Sequence, residues 1–455
     1  MPRKKVLLVA AHFPPAGGGG VIRALKMAKY LGDYGCDVLV LTREPRPNDI
    51  TDPSLVDEVP PSVRVIRARD VDPYRWLYRF RPPAPQTPTA AARPSLLKRV
   101  ATGLLRGLRS PALKLLQYTA VPDDFYWWAR ATVPLGERVI RGEGIDVIFT
   151  TSYPYSVHLL GYWLKRLTGV LWIADFRDPW TQNIHKSGIP WRERVEERME
   201  RRVMANADAV TTVTPSFAAG FRAKHGDVIR RLEVIYNGFD PADYEDIVPF
   251  PHDGRFTAAY TGLLYPKRSP RLLLEAVAEL IAEGRVRRDE IVLRFAGRFA
   301  TDTLAETRDC IERLALGDAV EIMGELEHRQ ALGVLKGADV LLLVGDAAPE
   351  AGAYIPGKLY EYMAVKRPVL ALVVPGEASR IIEKHALGRV VHPLDRDGIK
   401  RAYLEMYRAW KDGRAPTGTE PEIGGAQLIF DRRYQAAQLS RLMDELLAGR
   451  RRGVD

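Results

Sequence analysis

The chain has 455 residues, 46% apolar and 27% charged, an ordinary globular composition long enough for two or three domains. Its only cysteines, Cys36 and Cys310, stand far apart, which argues against a disulfide framework or a zinc site and fits a reducing cytoplasm. No run approaches the ~18 apolar residues of a membrane span, the apolar run at 6–11 is too short for a signal peptide, and the net charge of +10 invites an anionic partner, nucleic acid or membrane.

In chain order, residues 5–11 read as a strand, followed by His12-Phe-Pro-Pro-Ala-Gly-Gly-Gly-Gly20 and a helix over 21–31. Four glycines between a first strand and a first helix let the backbone approach a ligand, with helix amides behind it. The dinucleotide fingerprint Gly-x-Gly-x-x-Gly is absent. Arg23, a cation in the helix's first turn, opposes the helix dipole and so predicts an anionic partner. Further strands are expected at 37–42, 63–68, 146–151, 170–174, 209–213 and 233–236, with helices at 155–167, 191–205 and 215–224. Such alternation predicts a doubly wound parallel sheet whose ligands sit at the carboxyl ends of its strands. Residues 241–254, rich in proline and acids, read as a linker. A second alternating set follows, with strands at 256–260, 291–296, 320–323, 340–344, 369–374 and 389–392, and a long amphipathic helix closes the chain over 426–447. The expected fold is therefore α/β with two Rossmann-like domains, 1–240 and 255–415.

Two loops of the second set carry chemistry. In Ile355-Pro-Gly-Lys-Leu-Tyr-Glu-Tyr-Met-Ala-Val-Lys-Arg-Pro368, a strand, a glycine turn and a helix follow one another. The helix amides at Gly357 and Lys358 suit a phosphate, and Glu361, a turn further on, suits a ribose diol. In Tyr260-Thr-Gly-Leu-Leu-Tyr-Pro-Lys-Arg-Ser-Pro270, Lys267 and Arg268 stand at a strand's carboxyl end just ahead of a helix, an address that suits a diphosphate; a solvated pair is the plain alternative. Asp175-Phe-Arg-Asp-Pro-Trp180 in the first domain reads either as a self-neutralising structural set or as Arg177 and Asp178 facing a ligand. No two histidines have metal-ligand spacing.

These segments, with Val234-Ile-Tyr-Asn-Gly-Phe-Asp240, resemble the retaining GT-B glycosyltransferases that use nucleotide-diphosphate sugars, over nearly the whole chain. The resemblance implies two domains facing across a cleft, the donor on the second, the acceptor on the first, and a final helix crossing back. It implies that Lys267 and Arg268 hold the diphosphate, that Gly262, Gly357 and Lys358 lie against it, the last two by backbone, and that Glu361 binds the ribose. Gly17, Gly18, Gly19 and Gly20 would close over the diphosphate and reacting sugar. From their own positions, Arg23 is counted with the donor-binding residues, and Arg177 and Asp178 with Lys267 and Arg268 as catalytic. The resemblance implies no cofactor and no metal, because the leaving diphosphate itself takes the acceptor's proton. Two departures stand out. The family's Glu-x7-Glu would begin at Ala353, whereas the nearest carboxylate is Glu350, and Arg177 takes the place of a common histidine. A nucleotide-sugar epimerase or a non-catalytic binding subunit are the rival readings.

The charge is concentrated. Between Asp72 and Asp123 lie nine basic residues and no acid, and subtracting them from +10 leaves +1. Leu97, Val100, Ala101, Leu104, Leu105 and Leu108 recur there at helical spacing, opposite Lys98, Arg99, Arg106 and Arg109. That pattern, within 74–121, predicts an interfacial helix on an anionic membrane rather than a nucleic-acid groove, and hence a cytoplasmic protein peripheral to the membrane's inner face with a sugar or lipid-linked acceptor.

Overall fold

The structure, a computed structural model, describes residues 3–46, 49–73, 118–184, 187–414 and 425–452. The chain divides into two compact units, Met1–Ile235 with Gln435–Asp455, and Tyr236–Tyr434. The expected interfacial helix lies outside the described residues. Among the described residues no helix is long and apolar enough to cross a membrane.

The first unit is built on seven parallel strands: β1 Lys4–Val9, β2 Cys36–Arg43, β3 Arg64–Ala68, β4 Val147–Thr151, β5 Leu171–Phe176, β6 Ala209–Thr212 and β7 Leu232–Val234. Their order is β3-β2-β1-β4-β5-β6-β7, with Val6 opposite Val38 on one side and Val147 on the other. The central strands are apolar on both faces because helices cover both, as parallel sheets require. The order in which strands are added reverses between β1 and β4, so the loops after those two parallel strands flank a switch point, where open α/β sheets place their ligands. Helix α1, Gly19–Leu31, starts there. Helix α2, Tyr126–Glu143, was not expected from the sequence, since Pro134 interrupts its pattern. Burial of Trp128, Ala129, Val133 and Ile140 along one face holds it in spite of the missing hydrogen bond. Helices α3 Ser156–Thr168, α4 Pro190–Asn206 and α5 Pro215–His225 follow close to their expected places.

The second unit has six parallel strands, β8 Phe256–Thr261, β9 Ile291–Ala296, β10 Val320–Gly324, β11 Val340–Val344, β12 Val369–Leu372 and β13 Gly388–Val391, in the order β10-β9-β8-β11-β12-β13. Its switch point lies between β8 and β11. The helices are α6 Arg271–Ala282, α7 Thr301–Arg313, α8 His328–Lys336, α9 Gly357–Val365, α10 Glu377–Lys384 and α11 Arg396–Lys411. Residues 241–254 are fastened to this unit: the Phe250 amide donates to the Gly333 carbonyl at 2.8 Å, and Lys336 Nζ donates to the carbonyls of Tyr244 and Ile247 at 3.1 and 3.0 Å.

The last helix, α12, runs from Arg432 to Arg452 rather than over 426–447. Residues Gly425–Phe430 form a tighter turn, and Phe430, 1% exposed, lies 5.2 Å from the Tyr236 ring and 5.8 Å from that of Tyr360. Seating that ring in the second unit takes the chain off the helical path. Beyond it Ala436, Leu439, Leu442 and Met443 join the first unit's core, and Lys4 Nζ donates to Ser440 Oγ and Asp444 Oδ1, each at 2.7 Å.

Candidate functional site

In the second unit, the two loops singled out from the sequence follow the two strands of the switch point. The loop after β8 carries Gly262, Lys267 and Arg268; the loop after β11 leads into α9 with Gly357, Lys358 and Glu361. A side-chain bond joins the two segments. Lys358 Nζ donates to Tyr260 Oη at 2.6 Å and stands 4.1 Å from that ring's centroid. Tyr260, 1% exposed, donates in turn to the Leu263 carbonyl at 2.9 Å.

Arg268 holds its loop by its amide, which donates to the Tyr265 carbonyl at 2.6 Å, and its guanidinium lies 5.1 Å from the Tyr265 ring centroid. Its Nε is buried without a hydrogen-bond partner. Lys267 is exposed, as is Gly357 at the open start of α9. No ion pair involves Lys267, Arg268 or Lys358 among the described residues, whereas Arg255, Arg294, Arg389 and Lys400 in the same unit are all paired with carboxylates. Burial pulls the Lys358 amine down to about 8, Arg268 adds to the effect and Glu361 opposes it. The strand ends thus present cations that the protein itself leaves without counter-charge.

Glu361 is half-buried on the second turn of α9 and makes no hydrogen bond among the described residues. Burial pushes its carboxyl upward, against the pull of His328 and Lys358. A carboxylate so placed gains from neutral donors such as hydroxyls. Glu350 is exposed on the short helical turn Pro349–Ala353, three residues before the position the family pattern would fill.

The first unit's glycine loop is built differently. Gly18 has φ +89° and opens α1, and Gly18, Gly19 and Gly20 are exposed, while a side chain at Gly17 would press on Asp52 at 3.1 Å. Behind the loop Arg23, 1% exposed, forms a bidentate pair with Asp175, Nε to Oδ2 at 2.9 Å and Nη2 to Oδ1 at 2.8 Å, and also donates to the Ile235 carbonyl at 3.0 Å. Thr151 and Thr211 hydroxyls each donate to the same carboxylate at 2.7 Å. Burial works to raise Asp175, but Arg23 and these hydroxyls outweigh it and hold the carboxyl below its usual value. Arg23 does have an anionic partner, and it is Asp175. The side chain is enclosed, and its pairing with Asp175 is an architectural contact of the first unit.

Arg177 donates to three backbone carbonyls. Its Nη1 donates to the Gly20 carbonyl at 2.7 Å, Nη2 to that of Tyr153 at 3.3 Å, and Nε to that of Ser152. Burial lowers its pKa, with Asp175 and Asp178 opposing. Arg177 therefore fastens the start of α1 to the loop after β4, with Asp175 and Asp178 both acting on its charge. Asp178 is half-buried beside it. The residues that sequence reasoning missed are Tyr260, the platform under Lys358, and the threonines that saturate Asp175. Both lie inside strands that read as plain core.

Comparison with known proteins follows the same division. A family model described as a glycosyl transferase 4-like domain matches residues 18–238, and one described as glycosyl transferases group 1 matches 255–409. The chain is 22% identical over 405 residues to D-inositol 3-phosphate glycosyltransferase 2 of Catenulispora acidiphila, covering 84% of this chain and 82% of that one. In fold it is similar to sucrose-phosphate synthase of Thermosynechococcus elongatus, with a TM-score of 0.63, 20% identity and coverage of 98% and 100% of the two chains. It is likewise similar to Anabaena HepE solved in complex with UDP, at 0.60 and 15%, covering 97% and 100%.

Proposed function

The chain belongs to the GT-B glycosyltransferases, its two halves matching the glycosyl transferase 4-like and group 1 families, and from that premise we propose that it moves a sugar, with retention, from a nucleotide-diphosphate sugar to an acceptor held on the first unit. The observation that carries the donor assignment is the uncompensated Arg268–Lys358 pair at the second unit's switch point, with Glu361 a turn behind it. A diphosphate supplies the missing anion and a ribose diol supplies two donors to the carboxylate. HepE, similar in fold, was solved in complex with UDP, which supports a nucleotide ligand here.

In the proposed step the acceptor oxygen bonds to the anomeric carbon as the bond from that carbon to the diphosphate oxygen breaks, and the acceptor's proton passes to the departing diphosphate on the same face. The protein's part is positioning and stabilising negative charge on the leaving group, which falls to Lys267, Arg268, Lys358 and the first amides of α9. This division of labour assigns no metal and no cofactor. Arg177 acts by holding the glycine loop in shape.

The acceptor is proposed to be lipid-linked, in surface polysaccharide or glycolipid synthesis at the inner face of the membrane. Support comes from the nine basic residues without an acid between Asp72 and Asp123. Each is worth ~1 kcal/mol near an anionic surface, so even half of them hold the protein reversibly. Incubation with a panel of nucleotide sugars and lipid or soluble acceptors, read by NMR, tests the reading. The expected result is nucleoside diphosphate released with a glycoside of unchanged anomeric configuration; an epimerised sugar, an inverted product or binding without turnover contradicts it. Flotation with anionic but not neutral vesicles, abolished by reversing Arg99, Arg106 and Arg109 to Glu, checks the membrane step.

A further inference from the structure

Lys358 lies one residue inside α9, where the expected contact to a phosphate is by backbone amide, yet its side chain crosses to β8. Its Nζ rests on Tyr260, as a hydrogen bond to the hydroxyl and over the ring. The hydroxyl's own proton goes to the Leu263 carbonyl, so a lone pair faces the ammonium. Gly262 makes room for this crossing. It has φ +106°, and a Cβ there would come within 2.6 Å of Lys358 Cε and 2.7 Å of Nζ. The lysine tip fills the space that a side chain at 262 would take.

Such an arrangement is costly for the protein by itself. A half-buried ammonium loses hydration, Arg268 repels it, and no carboxylate lies within ion-pair distance of either cation among the described residues. A bound anion removes both costs. We propose that the Lys358 ammonium, and not only the helix amides beside it, is a ligand of the donor's diphosphate, and that diphosphate binding is linked to protonation of this amine. The inference rests on the donor reading above and adds to it a residue, an atom and a proton.

The sign of the linkage follows from the surroundings. In the free protein burial and Arg268 bring the amine from 10.5 down to about 8. A diphosphate beside it favours the charged form and raises it again, so above about 8 binding takes up a proton and affinity falls as pH rises. The groups that act on the amine are Tyr260 on β8, Arg268 on the following loop and Glu361 on α9, itself within reach of His328 on α8. Burial raises Tyr260 above its usual value, so the alkaline limb is assigned to Lys358, and the Lys358→Arg variant isolates it.

Isothermal titration of the full chain with UDP, GDP and dTDP and with the parent nucleosides, at pH 7 and pH 9 in buffers of different ionisation heat, tests this. For the diphosphate that binds, the wild type should lose about tenfold in affinity from pH 7 to pH 9 with net proton uptake at pH 9. Lys358→Met should bind that diphosphate about tenfold or more weakly at pH 7, without the pH dependence and without loss of nucleoside affinity. Lys358→Arg should recover most of the affinity and remain flat with pH. A folded Met variant with wild-type diphosphate affinity and pH slope overturns the inference, as does an equal loss for nucleoside and diphosphate, which marks a packing role. A wild type that binds none of the three diphosphates overturns the donor reading itself.

Discussion

The two units place cations at the same address and use them in opposite ways. Each has an arginine or lysine beside a glycine turn at the switch point of a parallel sheet. In the first unit Arg23 is closed in and matched to Asp175, whose oxygens are shared with Thr151 and Thr211. In the second, Arg268 and Lys358 share Tyr260's surroundings with no carboxylate between them. A buried charge needs either a partner from the chain or one from solution. The first unit has the former, and its cation is architecture. The second leaves the place open, and its cations are the proposed binding site. Sequence position alone does not separate these cases; the location of the nearest carboxylate does.

The largest effect should come from breaking the matched pair. Arg23→Met or Asp175→Ala strands a buried charge and should cost ~3–5 kcal/mol of stability, read as a shifted denaturant midpoint, while diphosphate binding by the folded protein stays unchanged. A small shift would show that the pair is not the architectural element described. Next comes the open site: replacing Lys267 and Arg268 together with Ala should lower turnover ~100-fold or more, with nucleoside affinity preserved, because the charge they meet grows as the sugar–phosphate bond breaks. Equal losses in turnover and nucleoside affinity would point to a folding defect.

Glu361→Ala should weaken nucleoside diphosphate binding by ~1.5–3 kcal/mol, and Glu361→Gln by less, since an amide still meets a diol. Because burial raises this carboxyl, wild-type affinity should also fall as pH drops through its titration, a limb that the Gln variant should lack. The smallest effects separate the two glycine turns. Gly18→Ala meets no neighbouring atom and should cost only the ~1–3 kcal/mol of a backbone conformation that side chains rarely adopt. Gly262→Ala pays that and also displaces Lys358, so it alone should lower diphosphate affinity.

The strands were the most legible part of the sequence. Residues 291–296 and 340–344 are predicted to the residue, because strands covered on both faces read as unbroken apolar runs. Helix α2 was not, since Pro134 disguises a buried face, and α12 starts later than its pattern because Phe430 packs elsewhere. For the site, the glycine turns and the Lys267-Arg268 address follow from local spacing. The pairing of Arg23 with Asp175 joins positions 152 residues apart and has no local signature. Nor does the path of the Lys358 side chain, since a helix N-terminus predicts what its amides offer and says nothing of where a four-carbon stem leads.

The second unit's cations are proposed to await a diphosphate. The most direct measurement is the ratio of nucleoside diphosphate to nucleoside affinity for the wild type and for an Arg268→Ala, Lys358→Met double variant, with folding checked by thermal melting. The account predicts a wild-type ratio of about 100 or more that collapses toward one in the double variant, with nucleoside affinity unchanged. A ratio near one in the wild type, or a large ratio that survives the double substitution, would contradict it.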